Sequence, residues 1–84
     1  MNYVKAGKIV HFFDKILVAV LSATDMDIKI GDKIRIGEDG GPEQTVDSLQ
    51  VDHAPVTEVK VGSEAGMKVV AAVKEGDVVY KITE

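Results

Sequence analysis

The chain has 84 residues, of which 45% are hydrophobic and 29% charged, the proportions of a globular protein rather than of a disordered or fibrous one. It contains no cysteine, which excludes disulfide staples, thiolate nucleophiles and cysteine-held zinc and favours a reducing compartment, the cytoplasm. At this length folding hides only about 60 to 65% of the chain's surface, so one domain over residues 1–84 is expected, with a small core and no deep cleft.

The net charge of −4 is unevenly spread: residues 1–35 carry six Lys and Arg against four Asp, and residues 36–84 carry four Lys against ten Asp and Glu. An acidic balance argues against a strong nucleic-acid-binding field but leaves room for a local basic face. The longest apolar run, Ile16 to Leu21, falls far short of the roughly 20 residues that span a bilayer. The start of the chain also lacks the basic, apolar and small-residue order of a signal peptide. No membrane is expected as a partner.

Taken from the N-terminus, the spacing predicts strands near Val4 to Phe13 and Ile16 to Leu21, with Asp14-Lys15 as a tight connection. Ile28-Lys29-Ile30 and Ile34-Arg35-Ile36 alternate apolar with cationic residues, a period of two that buries one face of a sheet and wets the other. Strands follow near Lys33 to Gly37, Gln44 to Val51, Glu58 to Val61, Met67 to Val73 and Asp77 to Thr83. Glu38-Asp39-Gly40-Gly41-Pro42 and Asp52-His53-Ala54-Pro55 are turns, since glycine reaches positive φ and proline cannot donate to a ladder. Met67 to Val73 has enough alanine and lysine for a short helix, but its stiff valines and the short span to Gly76 favour a strand. Seven short strands without a convincing helix predict an all-β fold, a small closed antiparallel barrel, because closure hides the edges that so much Val and Ile would otherwise expose.

"KIGDKIRIG" (29–37) and "KEGDVVYKI" (74–82) repeat one phrase. Gly31 and Gly76 can take the positive φ of a tight strand entry, while Asp32 and Asp77 can accept backbone N–H bonds there. The repeated carboxylates therefore read as scaffold rather than chemistry.

Several phrases, in order, resemble the second domain of the translational GTPases such as elongation factor Tu. They are Gly7-Lys8-Ile9, Ile16 to Val20, Lys29 to Ile34, Gln44 to Leu49, Val61 to Val69 and Gly76 to Tyr80. The match runs over roughly residues 4–82 and is similar also to stand-alone elongation-factor-like proteins and to the C-terminal barrel of some collagenase-like peptidases. The resemblance implies a small translation-protein barrel that touches RNA or a ribonucleoprotein. The chain has no G-x-x-x-x-G-K-[ST] loop to cradle phosphates, so neither nucleotide binding nor GTPase activity is expected.

Candidate chemistry is sparse. His11 with Asp14 and Asp52 with His53 do not supply the three or four converging ligands a metal needs. Ser48, His53 and Asp52 contain the letters of a hydrolytic triad without a nucleophile elbow. No catalytic residue, metal or cofactor is expected. Lys29, Lys33 and Arg35, with Lys8 and Lys15, form the best RNA-contact candidate, Lys33 and Arg35 sharing the outward face of one strand. Phe12 and Phe13 must point to opposite sides of theirs, one into the barrel and one outward as a contact for a protein partner. The expected role is a non-catalytic, translation-related binding module. The alternative is a protein-docking module that serves a separate peptidase or RNA-modifying enzyme.

Overall fold

A computed structural model describes residues 2–37, 41–52 and 54–83. Ten strands form among the described residues: β1 (Asn2–Phe13), β2 (Val18–Ala23), β3 (Ile28–Lys29), β4 (Lys33–Ile36), β5 (Glu43–Thr45), β6 (Leu49–Val51), β7 (Ala54–Val56), β8 (Glu58–Val59), β9 (Glu64–Lys68) and β10 (Val78–Thr83). Eight of them make one antiparallel sheet in the order β5-β4-β10-β1-β2-β9-β6-β7, and β3 and β8 pair separately. The first and last strands are neighbours at its middle, in register from Asn2↔Thr83 to Lys8↔Val78.

Alternation decides which face is inside. On β2, Ala19, Leu21 and Ala23 are buried while Val18, Val20 and Ser22 face outward; on β9, Ala65 and Met67 are buried between outward Glu64, Gly66 and Lys68. Ile9, Ile28, Ile34, Ile36, Leu49 and Val79 are among the other buried residues of the inner layer. Each fully buried side chain of this size contributes about 1.5–3 kcal/mol, which fixes the register, because a one-residue slip would turn the whole inner set to water.

The sheet curls around this core without closing, so the closed barrel of the translation-protein type is corrected to a half-barrel whose edges are β5 and β7. These edges are safe without a ladder between them, since each is three residues long, β5 carries exposed Glu43 and Thr45, and β7 contains Pro55. One side chain ties the β5 edge to the end of β9 and the chain after it. Gln44 on β5 donates from Nε2 to the Lys68 carbonyl at 2.9 Å and accepts from the Val70 N–H at 3.0 Å.

Curling needs bends in the longest strand, and β1 has two irregularities, between Lys5 and Gly7 against β10 and between Ile9 and His11 against β2. At the first, the Ala6 carbonyl is turned to accept from the N–H groups of Thr24 and Asp25, both at 2.9 Å. Gly7 is required there, since a Cβ would lie 2.1 Å from the Ser22 carbonyl oxygen.

Three turns share one geometry. At Lys29–Asp32 and Lys74–Asp77 the fourth N–H donates to the first carbonyl at 3.1 Å, and the Asp Oδ2 accepts from the first N–H at 2.9 Å. Gly31 and Gly76 hold the third position at φ 95 and 92. Lys60–Ser63 repeats the backbone bond at 2.9 Å, with Gly62 at φ 92. Asp32 has a further duty: Lys81 Nζ lies 3.1 Å from its Oδ2 and donates to the Asp27 carbonyl at 2.8 Å, tying β10 to the β3 loop.

Several boundaries differ from expectation. The connection after β1 takes in Asp14 to Leu17, with Leu17 at φ 52, so β2 begins two residues late. Gln44 to Val51 breaks into β5 and β6 around buried Val46, whose N–H and carbonyl are taken by the Asp32 carbonyl (2.8 Å) and the Gly31 N–H (2.9 Å). Met67 to Val73 is neither helix nor strand beyond Lys68; Val69 and Val73 fill the core from irregular chain. Ala54–Pro55 belongs to an edge strand rather than a turn. The turn predicted at Glu38 to Gly40 lies outside the described residues, as does His53.

Candidate functional site

The outward side chains of β1, β2, β9 and β6 fall into cross-strand rows. Phe13 stands opposite Val18 and Val18 opposite Lys68; His11 stands opposite Val20, Val20 opposite Gly66 and Gly66 opposite Gln50. Gly66 leaves a gap in the second row. Phe13, Ile16, Val18 and Val20 line the resulting open groove of about 520 Å³ together with the polar Gln50 and Asp52. Phe13 is 46% and Ile16 61% exposed, unusually accessible for large apolar side chains grouped together.

Phe12 and Phe13 take opposite sides of β1. Phe12 packs against the core and Phe13 lies at the groove. His11 stacks edge-on against Phe13, with ring centroids 4.4 Å apart, and its Nδ1 lies 3.2 Å from Glu75 Oε2. The groove's lining holds one charged group, the Asp52 carboxylate, and neither a nucleophile nor a base paired with one. Among the described residues no group of three or more His, Asp and Glu could hold a metal ion.

The five candidate cations come from four parts of the chain. Lys8 is on β1, Lys15 in the following turn, Lys29 on β3, and Lys33 and Arg35 on β4. Arg35 is only 7% exposed. Its Cζ lies 4.1 Å from the Tyr3 ring centroid and 4.8 Å from that of Tyr80, and its Nε donates to the Gly37 carbonyl at 3.3 Å. Two tyrosines therefore cover the guanidinium that the sequence reading offered to a phosphate, while Lys33 two residues before it is exposed. Tyr3 in turn donates its hydroxyl to Glu43 Oε2 at 3.0 Å, which raises its pKa above the ordinary 10.0.

Sequence reasoning missed Ile16, Val18, Val20, Gln50 and Gly66 as members of a site. The available signal was Gly66 itself, an isolated glycine among alternating residues, which marks a bulge or a close approach by something else. No helix among the described residues is long and apolar enough to cross a membrane.

No family model matches the chain. A protein of Methanocaldococcus jannaschii named an uncharacterized protease is 39% identical over 83 residues, covering 96% of this chain but only 20% of that protein, so the chain spans about a fifth of its relative's length. The C-terminal domain of a Geobacillus thermoleovorans protein designated a U32 peptidase superposes with a TM-score of 0.83 over 95% of this chain and 93% of that domain at 11% identity. Its selenomethionine form gives 0.80 over 89% and 95%. At that identity the likeness is one of fold. Together these matches overturn the resemblance to the translational GTPases and to stand-alone elongation-factor-like proteins, and with it the translation-related, RNA-binding reading: the chain has the fold of the U32 peptidase C-terminal domain and sequence similarity to a segment of a named protease.

Proposed function

We propose that this chain is a non-catalytic accessory domain that docks with a peptidase and assists it without cleaving anything itself. The observation that carries this reading is the 39% identity across 83 residues to one-fifth of a protein named a protease. A segment of that size leaves four-fifths of the relative to hold a reaction centre. The apolar groove beside Phe13 agrees with a binding role, since it exposes packing surface and lacks reactive groups. The stacking of Arg35 between Tyr3 and Tyr80 gives that cation a partner inside the fold.

The test mixes the purified chain with the Methanocaldococcus jannaschii relative from which the matching segment has been deleted. Analytical ultracentrifugation is expected to show a one-to-one complex, and the chain alone is expected to leave casein uncut. Absence of a complex at about 100 μM, which corresponds to affinity weaker than roughly 5 kcal/mol, overturns docking. Casein cleavage by the chain alone overturns the non-catalytic part.

A further inference from the structure

Gly66 lacks both reasons that hold other glycines in this fold. Its φ lies outside the left-handed region, and a Cβ there would meet Val18 Cγ1 at 3.5 Å and the Gln50 carbonyl oxygen at 3.9 Å, ordinary contact distances. Gly7, by contrast, faces backbone at 2.1 Å. A glycine that neither backbone nor neighbours require weakens its strand for no structural return. What its missing side chain does provide is the floor of the groove.

The groove's shape and chemistry define an occupant. It is open along the outer face, and small-molecule sites enclose most of their ligand. Its walls are four apolar side chains, and its one charged lining group is acidic: the carboxylate of Asp52, a residue held at φ 51, which makes no hydrogen bond or ion pair among the described residues. Apolar walls with a single carboxylate in the lining complement an aliphatic side chain beside a cation. Position argues for a separate polypeptide. The two chain ends pair at Asn2↔Thr83, whereas the groove lies at the Phe13 end of β1, about 30 Å along the strand. Anything joined at either end is thus attached away from the groove.

We propose that the groove over Gly66 holds an extended segment of a polypeptide substrate, seating one aliphatic side chain between Phe13, Ile16, Val18 and Val20 and a neighbouring Lys or Arg against Asp52. This inference rests on the accessory-domain reading for its choice of substrate, but its binding chemistry can be measured on the chain alone.

The probe is the capped hexapeptide Ala-Ala-Leu-Arg-Ala-Ala, titrated into the full 84-residue chain labelled with nitrogen-15. Amide shifts are expected at Phe13, Val18, Val20 and Gly66, saturating with a Kd on the order of 1 mM or tighter. Replacing the peptide's leucine with alanine, or its arginine with glutamate, is expected to weaken binding about tenfold, and Asp52→Asn to erase the preference for arginine. Gly66→Val, which fills the floor, is expected to weaken binding by at least about tenfold while the melting transition persists; should it disturb the fold, Val20→Lys on the same outer row serves instead. No shifts at several-fold above about 1 mM, shifts centred elsewhere, or affinity indifferent to the floor variant overturn the proposal. So does a concentration-dependent dimer that shifts these same residues without peptide, which would give the groove to a second copy. A chain that forms the complex with the truncated protease but ignores the peptides sinks the groove alone; one that binds the peptides without forming the complex sinks docking alone.

Discussion

Gly7 and Gly66 lack the same side chain for opposite reasons, and stability measurements can separate them. At Gly7 a Cβ would sit 2.1 Å from the Ser22 carbonyl oxygen, and neither partner is a flexible side chain that could move aside. Gly7→Ala is therefore expected to cost about 3 kcal/mol or more in urea denaturation. Gly66→Ala adds a methyl group at contact distance and removes unfolded-chain freedom, so it is expected to stabilise by about 0.5 kcal/mol. The sequence showed both as glycines near strands and could not distinguish them, because the distinction depends on what lies across the ladder. Arg35 teaches the same limit. Alternation gives its direction, but its cover comes from Tyr3 and Tyr80, on strands far away in sequence. That cover has a pH signature. The hydrogen bond to Glu43, then desolvation, then the Glu43 charge hold the Tyr3 phenol protonated above pH 10.0, with Arg35 acting weakly the other way. The folded value is the higher one, so this contribution to stability is present below the unfolded tyrosine's pKa and is lost as pH rises through the folded value. Melting temperatures followed from about pH 9 upward should fall in the parent and fall less steeply in Tyr3→Phe.

At the scale of elements, runs of β-branched and apolar residues located β1, β2, β4 and β10, and β2 shows the period of two in its burial along its whole length. It failed where a strand is too short to have a period. β5 and β6 hold three residues each, and the buried Val46 between them is bonded to a turn rather than to a neighbouring strand. The valines after Lys68 misled for a related reason: Val69 and Val73 are buried, so their apolarity is real, but Val70 is 67% exposed and its N–H bonds to a side chain. That side chain is Gln44, and its amide substitutes for a ladder between β5 and the segment after β9. Gln44→Ala removes an acceptor and a donor at once and is expected to cost about 1–2 kcal/mol. Hydrogen exchange gives the sharper readout. The Val70 amide should lose its protection in the variant while amides of β1 and β2 keep theirs, since the damage lies at an edge.

The whole molecule was the least legible in sequence, because strand order is set by pairings between distant residues. Composition argued for closure on the ground that exposed Val and Ile edges aggregate, yet the chain meets that hazard with short, polar and proline-containing edges around an open curl. The same topology makes the last strand indispensable. β10 lies between β4 and β1, with Val79 fully buried and Lys81 anchoring Asp32 and the Asp27 carbonyl from across the fold. Removing it does not trim an edge; it separates β5 and β4 from the other five strands of the sheet and leaves β1 without the partner that its first residues pair with. A chain ending at Asp77 is accordingly expected to show no cooperative urea transition, whereas a chain with Gln44→Ala at the edge keeps one. Adding a synthetic peptide of residues 78–84 should restore strand signal in circular dichroism and bring the transition back, because the missing ladder and the Val79 packing can be supplied in trans. Survival of a full cooperative transition in the truncated chain would mean that β4 and β1 hold together without β10, and that β10 is not the strand joining β5 and β4 to the rest of the sheet.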